Sequence, residues 1–323
     1  MPPSRPPRPL RIGISYRLTF SPDSLSVLVT GRRLNLWGLA ARERVGTCHP
    51  LKHPSHADFL PDGTRCVLKN TSGKLAVMPI SDMEAFTLLP VDRPGEGCQV
   101  LFSPCGYYLI DGCWDGRLTV RDVVSGRLAL EEEAPGSMVS WIGCDAGRQL
   151  FAYARGLKAY LREDSHDATS VHVRRWPFHE HREVSIAGPW SDARAAAPSP
   201  DGKRLAILER ERLSVISLDD AQGVVHREFA MTPGAYLRKV LAWSPDGTLI
   251  GCIYGDDALF LDSRTLECRA RHADRDTSDV AFSPDGRFVG IGTWSKGVVM
   301  PVEQLLATPT GSVDGEAQPA RPA

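Results

Sequence analysis

A four-residue turn motif, Ser-Pro-Asp-Gly, recurs along this chain at intervals of about forty residues, a spacing typical of repeat architectures. Identical copies begin at Ser199, Ser244 and Ser283, and divergent copies begin at Ser21, Leu60 and Ser103. Proline presets the backbone angle of the second turn position, aspartate can bond its own backbone, and glycine tolerates the positive φ that ends the turn. Each copy therefore predicts a hairpin corner in a repeated β unit.

One further unit is expected between Pro104 and Pro200, because this interval is about twice as long as the others. The tetrapeptide Cys-Asp-Ala-Gly at residues 144–147 fits the missing turn, since strand-like stretches flank it at residues 138–141 and 149–153. Seven units result, six of them clear and one degenerate.

Short apolar stretches lie on both sides of each turn, such as residues 280–282 before the last copy and residues 288–291 after it. A second turn and a third apolar stretch follow, as at residues 114–116 and 118–120. Evenly spaced, nearly continuous apolar strands without helical periodicity predict sheets that are covered on both faces. The sequence therefore predicts an all-β fold, a single β-propeller of seven four-stranded blades over residues 10–308.

Some unit endings carry a more specific pattern. Trp37 ends one apolar stretch, Asp122 ends another, and His49 and His272 each stand twelve residues before a turn proline. In these positions the chain resembles a divergent WD-repeat-like β-propeller family, although no unit has the complete Trp-Asp ending. The resemblance implies a rigid ring that binds a partner protein or peptide through the loops on its faces.

The two terminal segments differ from the repeat. Residues 1–9 form a proline-rich leader and residues 309–323 lack an apolar pattern, so we expect both to be disordered; the leader also has the composition of a polyproline II ligand. Residues 302–307 and residues 10–14 compete for the outer strand of the last blade. We favour residues 302–307, because the prolines before residue 10 cannot donate ladder hydrogen bonds.

Charge and cysteine content restrict the partners and the compartment. Lys plus Arg number 38 and Asp plus Glu number 39, so no global positive field favours nucleic acid as a partner. The eight cysteines include no Cys-x-x-Cys pair and mostly lie in apolar stretches, which favours free thiols in a reducing compartment. No secretory signal or membrane-length apolar run occurs, so we expect a cytoplasmic monomer without a membrane partner.

The longest departure from the repeat is an insert around residues 162–198. Exposed aromatic residues beside arginines are typical of interface hot spots. The candidate interaction surface in this insert consists of Arg174, Arg175, Trp176, Phe178 and Trp190. The alternative is that Val171, Val173 and Trp176 form the outer strand of the fourth blade and pack normally.

The same insert contains several histidines, which invite a metal-site hypothesis. They are His166, His172, His179 and His181. No cysteine or fixed carboxylate spacing completes a ligand set, so we expect solvated loop histidines, no metal and no cofactor.

No local catalytic motif occurs in the sequence, so we predict a non-catalytic protein-protein interaction scaffold. The alternative is a propeller hydrolase or lactonase-like enzyme with a polar or metal site in the central channel, assembled from several blades. Four aspartates lie in or near second turns: Asp111, Asp115, Asp256 and Asp257. They could face a channel mouth, but the simpler interpretation is that they form the turns. A channel lined by convergent carboxylate, His or Asn side chains would favour the enzyme.

Overall fold

The computed structural model describes residues 8–157, 169–188, 190, 192–219, 224–231 and 237–307 of the chain. Its strands form seven four-stranded antiparallel sheets, which are the blades of a β-propeller. The predicted all-β fold is therefore confirmed. Residues 1–7 of the predicted leader and the predicted tail at 309–323 lie outside the described residues.

The strands follow one another around the ring in chain order, after one strand that precedes the first blade. This preceding strand is β1 (Leu10–Gly13). The first blade contains β2 (Arg17–Phe20), β3 (Ser26–Thr30), β4 (Leu34–Gly38) and β5 (Glu43–Cys48). The second contains β6 (Pro54–Phe59), β7 (Arg65–Asn70), β8 (Leu75–Pro79) and β9 (Thr87–Leu88). The third contains β10 (Gly97–Phe102), β11 (Tyr108–Cys113), β12 (Arg117–Asp122) and β13 (Leu128–Glu133).

The remaining blades keep the same order, from the innermost strand outwards. The fourth contains β14 (Ser137–Cys144), β15 (Leu150–Leu157), β16 (Ser170–Arg175) and β17 (Val184–Ile186). The fifth contains β18 (Ala195–Pro198), β19 (Arg204–Leu208), β20 (Arg212–Ser217) and β21 (Val225–Glu228). The sixth contains β22 (Leu237–Trp243), β23 (Leu249–Tyr254), β24 (Asp257–Asp262) and β25 (Cys268–His272). The seventh contains β26 (Thr277–Phe282), β27 (Phe288–Thr293) and β28 (Gly297–Pro301), and the helix α1 (Val302–Leu306) follows.

The Ser-Pro-Asp-Gly motifs form the turns between the first two strands of the blades, as the repeat predicts. In the last copy, the Ser283 hydroxyl donates to Asp285 at 2.7 Å and accepts a hydrogen bond from the Phe288 amide at 2.9 Å. Gly286 closes the turn at a φ of 74°, which a side chain would disfavour. One serine therefore holds both the turn and the start of the next strand.

The degenerate seventh turn begins one residue later than the sequence alignment places it. The Asp145 carboxylate accepts a hydrogen bond from the Leu150 amide at 2.7 Å, five residues on, as Ser283 does from Phe288. Arg148 then takes the closing position, with a φ of 52°. Asp145 thus replaces the serine of the motif and an arginine replaces its glycine.

Apolar clusters fill the space between neighbouring blades. Phe59 of β6 is 1% exposed and packs in one cluster with Leu28 of the first blade and Leu68 of its own blade. Because each sheet is covered on both faces, nearly every residue of a second strand such as β7 is buried. The innermost strands meet their neighbours in sequence around the central channel, and β2 contacts β26 to complete the ring.

Strand β1 closes the ring, and the prediction that residues 302–307 supply the last outer strand is wrong. The seventh sheet has the order β1-β28-β27-β26, with Leu10 paired to Val299. The chain turns into α1 after Pro301, and Glu303, Gln304 and the two leucines that follow are good helix formers. The prolines before residue 10 do not interfere, because β1 has its own backbone donors.

Among the described residues, no helix is long and apolar enough to cross a membrane. The seven cysteines whose side chains are described are free thiols.

Candidate functional site

The central channel widens into a cavity at each end. The larger cavity, about 800 Å³, lies opposite the Ser-Pro-Asp-Gly turns, at the end where the chain passes from one blade to the next. We call it the mouth cavity, and its characteristic lining residues are Tyr16, Arg32, Lys52, Trp114, Arg238 and Trp294. The smaller cavity, about 410 Å³, lies beside the turns, and we call it the turn-side cavity. Arg17 and His56 line both cavities and therefore mark the waist between them.

Positive charge dominates the mouth cavity. Its lining includes the five cationic residues Arg17, Arg32, Lys52, Arg238 and Lys239, whereas Glu96 is its one carboxylate within the described part of the chain. The whole chain has a formal net charge of −1, so this excess is a local feature. A concave wall of one charge sign focuses the field and attracts ligands of the opposite sign.

The cations of the mouth cavity differ in how far they are neutralised. Nη2 of Arg238 lies 2.5 Å from the Asp256 carboxylate. Arg32 and Lys52 are exposed, and their side chains have no carboxylate partner in the ranges that the structure describes. These two side chains therefore present charge to the cavity that no neighbouring carboxylate cancels.

An aromatic pair forms part of the rim. The rings of Tyr16 and Trp294 have their centroids 4.5 Å apart, and Trp294 is 58% exposed. Trp, Tyr and Arg are the residue types that concentrate binding energy in interfaces. The pair adds an apolar surface to the rim of the cationic cavity.

The waist of the channel is held by an ion pair and a neutral histidine. Nη1 of Arg17 lies 3.1 Å from Oδ1 of Asp279, and its guanidinium lies 5.2 Å from the Trp141 ring centroid. Burial, and then the charges of Arg17 and Lys69, lower the pKa of His56 well below its usual value. His56 is therefore uncharged at pH 7, and its buried Nδ1 has no hydrogen-bond partner among the described residues.

Two buried carboxylates along the channel, Asp58 and Asp279, make contacts between blades. Asp58 receives two hydrogen bonds from Arg148, at 2.5 and 2.9 Å, and a third from the Phe102 amide at 2.8 Å. Oδ2 of Asp279 accepts from the Leu18 amide at 2.7 Å, while its Oδ1 faces Arg17. These contacts tie the second blade to the third and fourth and the seventh to the first, so both carboxylates serve the ring.

The interaction surface predicted in the insert lies largely inside the fourth blade. Phe178 is 3% exposed and lies in an apolar cluster against which Trp176 packs. Trp190 is 8% exposed and lies in a second cluster, with apolar residues of the blade strands. Arg174 is buried, donates to Glu132 and to the Phe178 carbonyl, and lies over the Phe178 ring. Of the five residues, Arg175 alone is exposed. The rings serve as packing, Trp176 and Phe178 in one cluster and Trp190 in another. The alternative placed Val171, Val173 and Trp176 on the outer strand of the blade, whereas both valines lie on its third strand, β16, and β17 is the outer strand.

The other residues singled out from the sequence have individual roles. His166 lies outside the described residues, and His179 and His181 are exposed. The described parts of the chain contain no group of three or more His, Cys, Asp or Glu that could hold a metal ion. Each of the four second-turn aspartates is paired with a cation: Asp111 with Lys69, Asp115 with Arg117, Asp256 with Arg238 and Asp257 with Arg271.

Sequence reasoning missed the mouth cavity, although a signal for it exists. Trp114 and Trp294 occupy the same place in their units, directly after the second strand, and Arg32 lies one residue further on in the first unit. Residues at one repeat position face the same end of a propeller. Aligning the second turns, as well as the first, would have grouped these side chains.

No protein-family model matches the chain, and no curated protein matches it in sequence. In structure, 1733 chains of solved proteins match it, so the fold by itself selects no function. One of them, Kuenenia stuttgartiensis hydrazine synthase, has a TM-score of 0.73 at 14% sequence identity, over 89% of this chain and 95% of the other. At that identity the likeness shows the fold alone.

Proposed function

We propose that this chain is a protein-protein interaction scaffold that binds an acidic segment of a partner protein or peptide in the mouth cavity. The observation that carries the proposal is the combination of a preformed cavity, a local excess of cations and an exposed aromatic pair at its rim. Rigid sites of this kind bind without a large ordering cost, because the wall is already in place.

The channel carboxylates serve structural contacts. Each oxygen of Asp58 and Asp279 accepts a hydrogen bond or faces an arginine. In the hydrolase or lactonase-like alternative, a general base drawn from these two carboxylates would compete with those contacts. The likeness to hydrazine synthase favours neither function, since it extends to the fold only.

The divergent WD-repeat assignment and the cytoplasmic location belong to the same proposal. The ring has seven four-stranded blades, and β1, which precedes the first blade, completes the last one. Both features are consistent with a WD-repeat-like ring. Burial raises the pKa of Cys48 and Cys252 to about 12, which keeps these thiols protonated and unreactive in a reducing compartment. A monomeric ring leaves the mouth cavity open to one partner.

The test is a titration of the full chain with a fluorescein-labelled, Glu-rich peptide that contains tyrosine, followed by fluorescence polarisation. We expect saturable binding at low salt, and weaker binding to a peptide with Gln in place of Glu. The double variant Arg32→Glu/Lys52→Glu should weaken binding by about tenfold or more, because it places repulsive charge in the cavity.

A control makes a single charge reversal at the opposite end of the ring. Lys203 is exposed directly after the Ser-Pro-Asp-Gly turn of residues 199–202, so Lys203→Glu should bind like the wild-type chain. Equal binding by wild type and the double variant would refute the proposal. Tighter binding of a single-stranded oligonucleotide than of the peptide would assign the cavity to phosphate backbones instead.

A further inference from the structure

Three polar side chains contact one another in series on the outer half of the fourth blade, away from the channel. The Ser170 hydroxyl lies 2.7 Å from Nε2 of His172, two residues along β16. Nδ1 of the same ring lies 2.6 Å from Oε1 of Glu183, just before β17. Serine, imidazole and carboxylate thus contact one another in the order that nucleophilic catalysis requires.

The contacts of the imidazole with Ser170, Glu183 and the Tyr153 ring set its orientation. Burial raises the pKa of Glu183, but hydrogen bonds from His172 and Tyr153 outweigh it and lower the pKa to about 2. Nδ1 of His172 lies 2.6 Å from the ionised Glu183 carboxylate without forming a well-aligned hydrogen bond, and because this carboxylate can only accept, the contact favours the tautomer that carries its proton on Nδ1. In the neutral ring Nε2 is then unprotonated and accepts the Ser170 hydroxyl hydrogen, which is the tautomer that a general base needs.

Neighbouring side chains hold this geometry. The Tyr153 ring stacks on the His172 ring at 5.5 Å between centroids, and its hydroxyl donates to Oε2 of Glu183. Arg155 is paired with Ser170 across β15 and β16, and its guanidinium donates to the Gly116 carbonyl at 2.9 Å. Residues directly opposite on neighbouring strands have Cβ atoms about 5 Å apart. The guanidinium also lies 3.7 Å from Oε2 of Glu183, so a fixed cation lines the same cavity as the hydroxyl.

A cavity gives access to the chain of side chains. Ser170 is half-buried, and an open cavity of about 590 Å³ is lined by Ser170, His172, Glu183 and Arg155. Glu132 and Glu133 line the opposite part of the cavity. Three carboxylates and one guanidinium therefore line the cavity, and Glu132 and Glu133 are themselves paired with Arg174 and Arg93. The lining has no excess of positive charge to attract an anion, so it suits a neutral or cationic ligand.

We propose that Ser170, His172 and Glu183 form an acyl-transfer site that hydrolyses neutral or cationic esters, separate from the mouth cavity. Oγ of Ser170 attacks the acyl carbon while its proton passes to Nε2 of His172, and Arg155 stabilises the negative oxygen of the tetrahedral intermediate. The bond to the alcohol then breaks, and the alcohol leaves with the proton from Nε2. Water then attacks the acyl carbon while its proton passes to Nε2 of His172. The bond to Oγ of Ser170 breaks, Oγ takes the proton from Nε2, and the acid is released.

The experiment is covalent labelling of the full chain with a fluorophosphonate, which loses fluoride when a nucleophilic serine bonds to its phosphorus. We expect one label per chain, located at Ser170 by peptide mass spectrometry. Ser170→Ala should abolish the label, and His172→Ala should slow labelling by about 10²-fold or more. Circular dichroism and thermal melting confirm that each variant is folded, and Glu183→Gln provides a second variant that retains the shape of the carboxyl group.

Two comparisons separate catalysis from a merely structural contact. Ser185 is exposed on β17 in the same blade, and Ser185→Ala should label at the wild-type rate. A trimethylammonium-bearing phenyl ester should be hydrolysed about tenfold faster than a carboxylate-bearing one, and both activities should disappear in Ser170→Ala. The proposal is overturned if folded wild-type protein is not labelled, if the label lies elsewhere, or if His172→Ala labels as fast as wild type.

Discussion

Replacing Ile12 by alanine tests how the ring is closed. Ile12 is 4% exposed on β1 and packs in one cluster with Leu18, Phe20 and Val299, which belong to the first and last blades. Those neighbours belong to two sheets, so we expect the space left by the side chain to close only partly. Deleting a buried isoleucine side chain in such a site costs about 2–5 kcal/mol, and we expect about 3 kcal/mol here.

The assay is urea unfolding of wild type and Ile12→Ala, followed by tryptophan fluorescence, with the slope against urea compared between them. The control is Leu306→Ala. Leu306 is 39% exposed on α1, in the segment that the sequence favoured as the closing strand. Its replacement should change the free energy of unfolding by less than about 0.5 kcal/mol. If Ile12→Ala lost no stability, or Leu306→Ala lost more than it did, β1 would not close the ring.

Two further predictions concern charges outside the mouth cavity. A hydrogen bond from Ser199 lowers the pKa of Asp201 below its unfolded value, so the stability that the ionised carboxylate adds is complete above about pH 4 and is lost as the pH falls through the folded pKa. The midpoint of thermal unfolding should therefore drop below pH 4, and it should drop less steeply with pH in Ser199→Ala. Equal pH dependence of the two midpoints would contradict this. Lys69 is fully buried and forms an ion pair with Asp111. Lys69→Met should lower the free energy of unfolding in urea by about 3–5 kcal/mol, because it removes the partner of a buried carboxylate. An unchanged free energy of unfolding would show that the pair contributes nothing.

The sequence was sufficient for the blade count, because the turn motif has a local mechanical cause that survives divergence. It was insufficient for the position of the degenerate turn, since Asp145 performs the serine role with a carboxylate and the alignment matched letters rather than hydrogen bonds. It also misplaced the closing strand. Competition between β1 and residues 302–307 depends on packing against Val299 and the first blade, which no local pattern reveals.

The candidate sites show the same limit. Trp176, Phe178 and Trp190 have the composition of an interface, but burial between sheets is a property of the whole blade and turned them into packing. The mouth cavity joins Tyr16 to Trp294, which lie in the first and last units. Sites assembled across a ring have no contiguous signature in the chain. They become visible only when the repeats are aligned at the correct turn.

The most direct measurement for the proposed function is photo-cross-linking of a Glu-rich peptide to the full chain, with the attachment sites mapped by mass spectrometry. Binding in the mouth cavity predicts cross-links at its rim, at Tyr16, Arg32, Lys52 or Trp294, and their disappearance in Arg32→Glu/Lys52→Glu but not in Lys203→Glu. Cross-links confined to the Ser-Pro-Asp-Gly turns or to the outer edges of the blades would contradict the account.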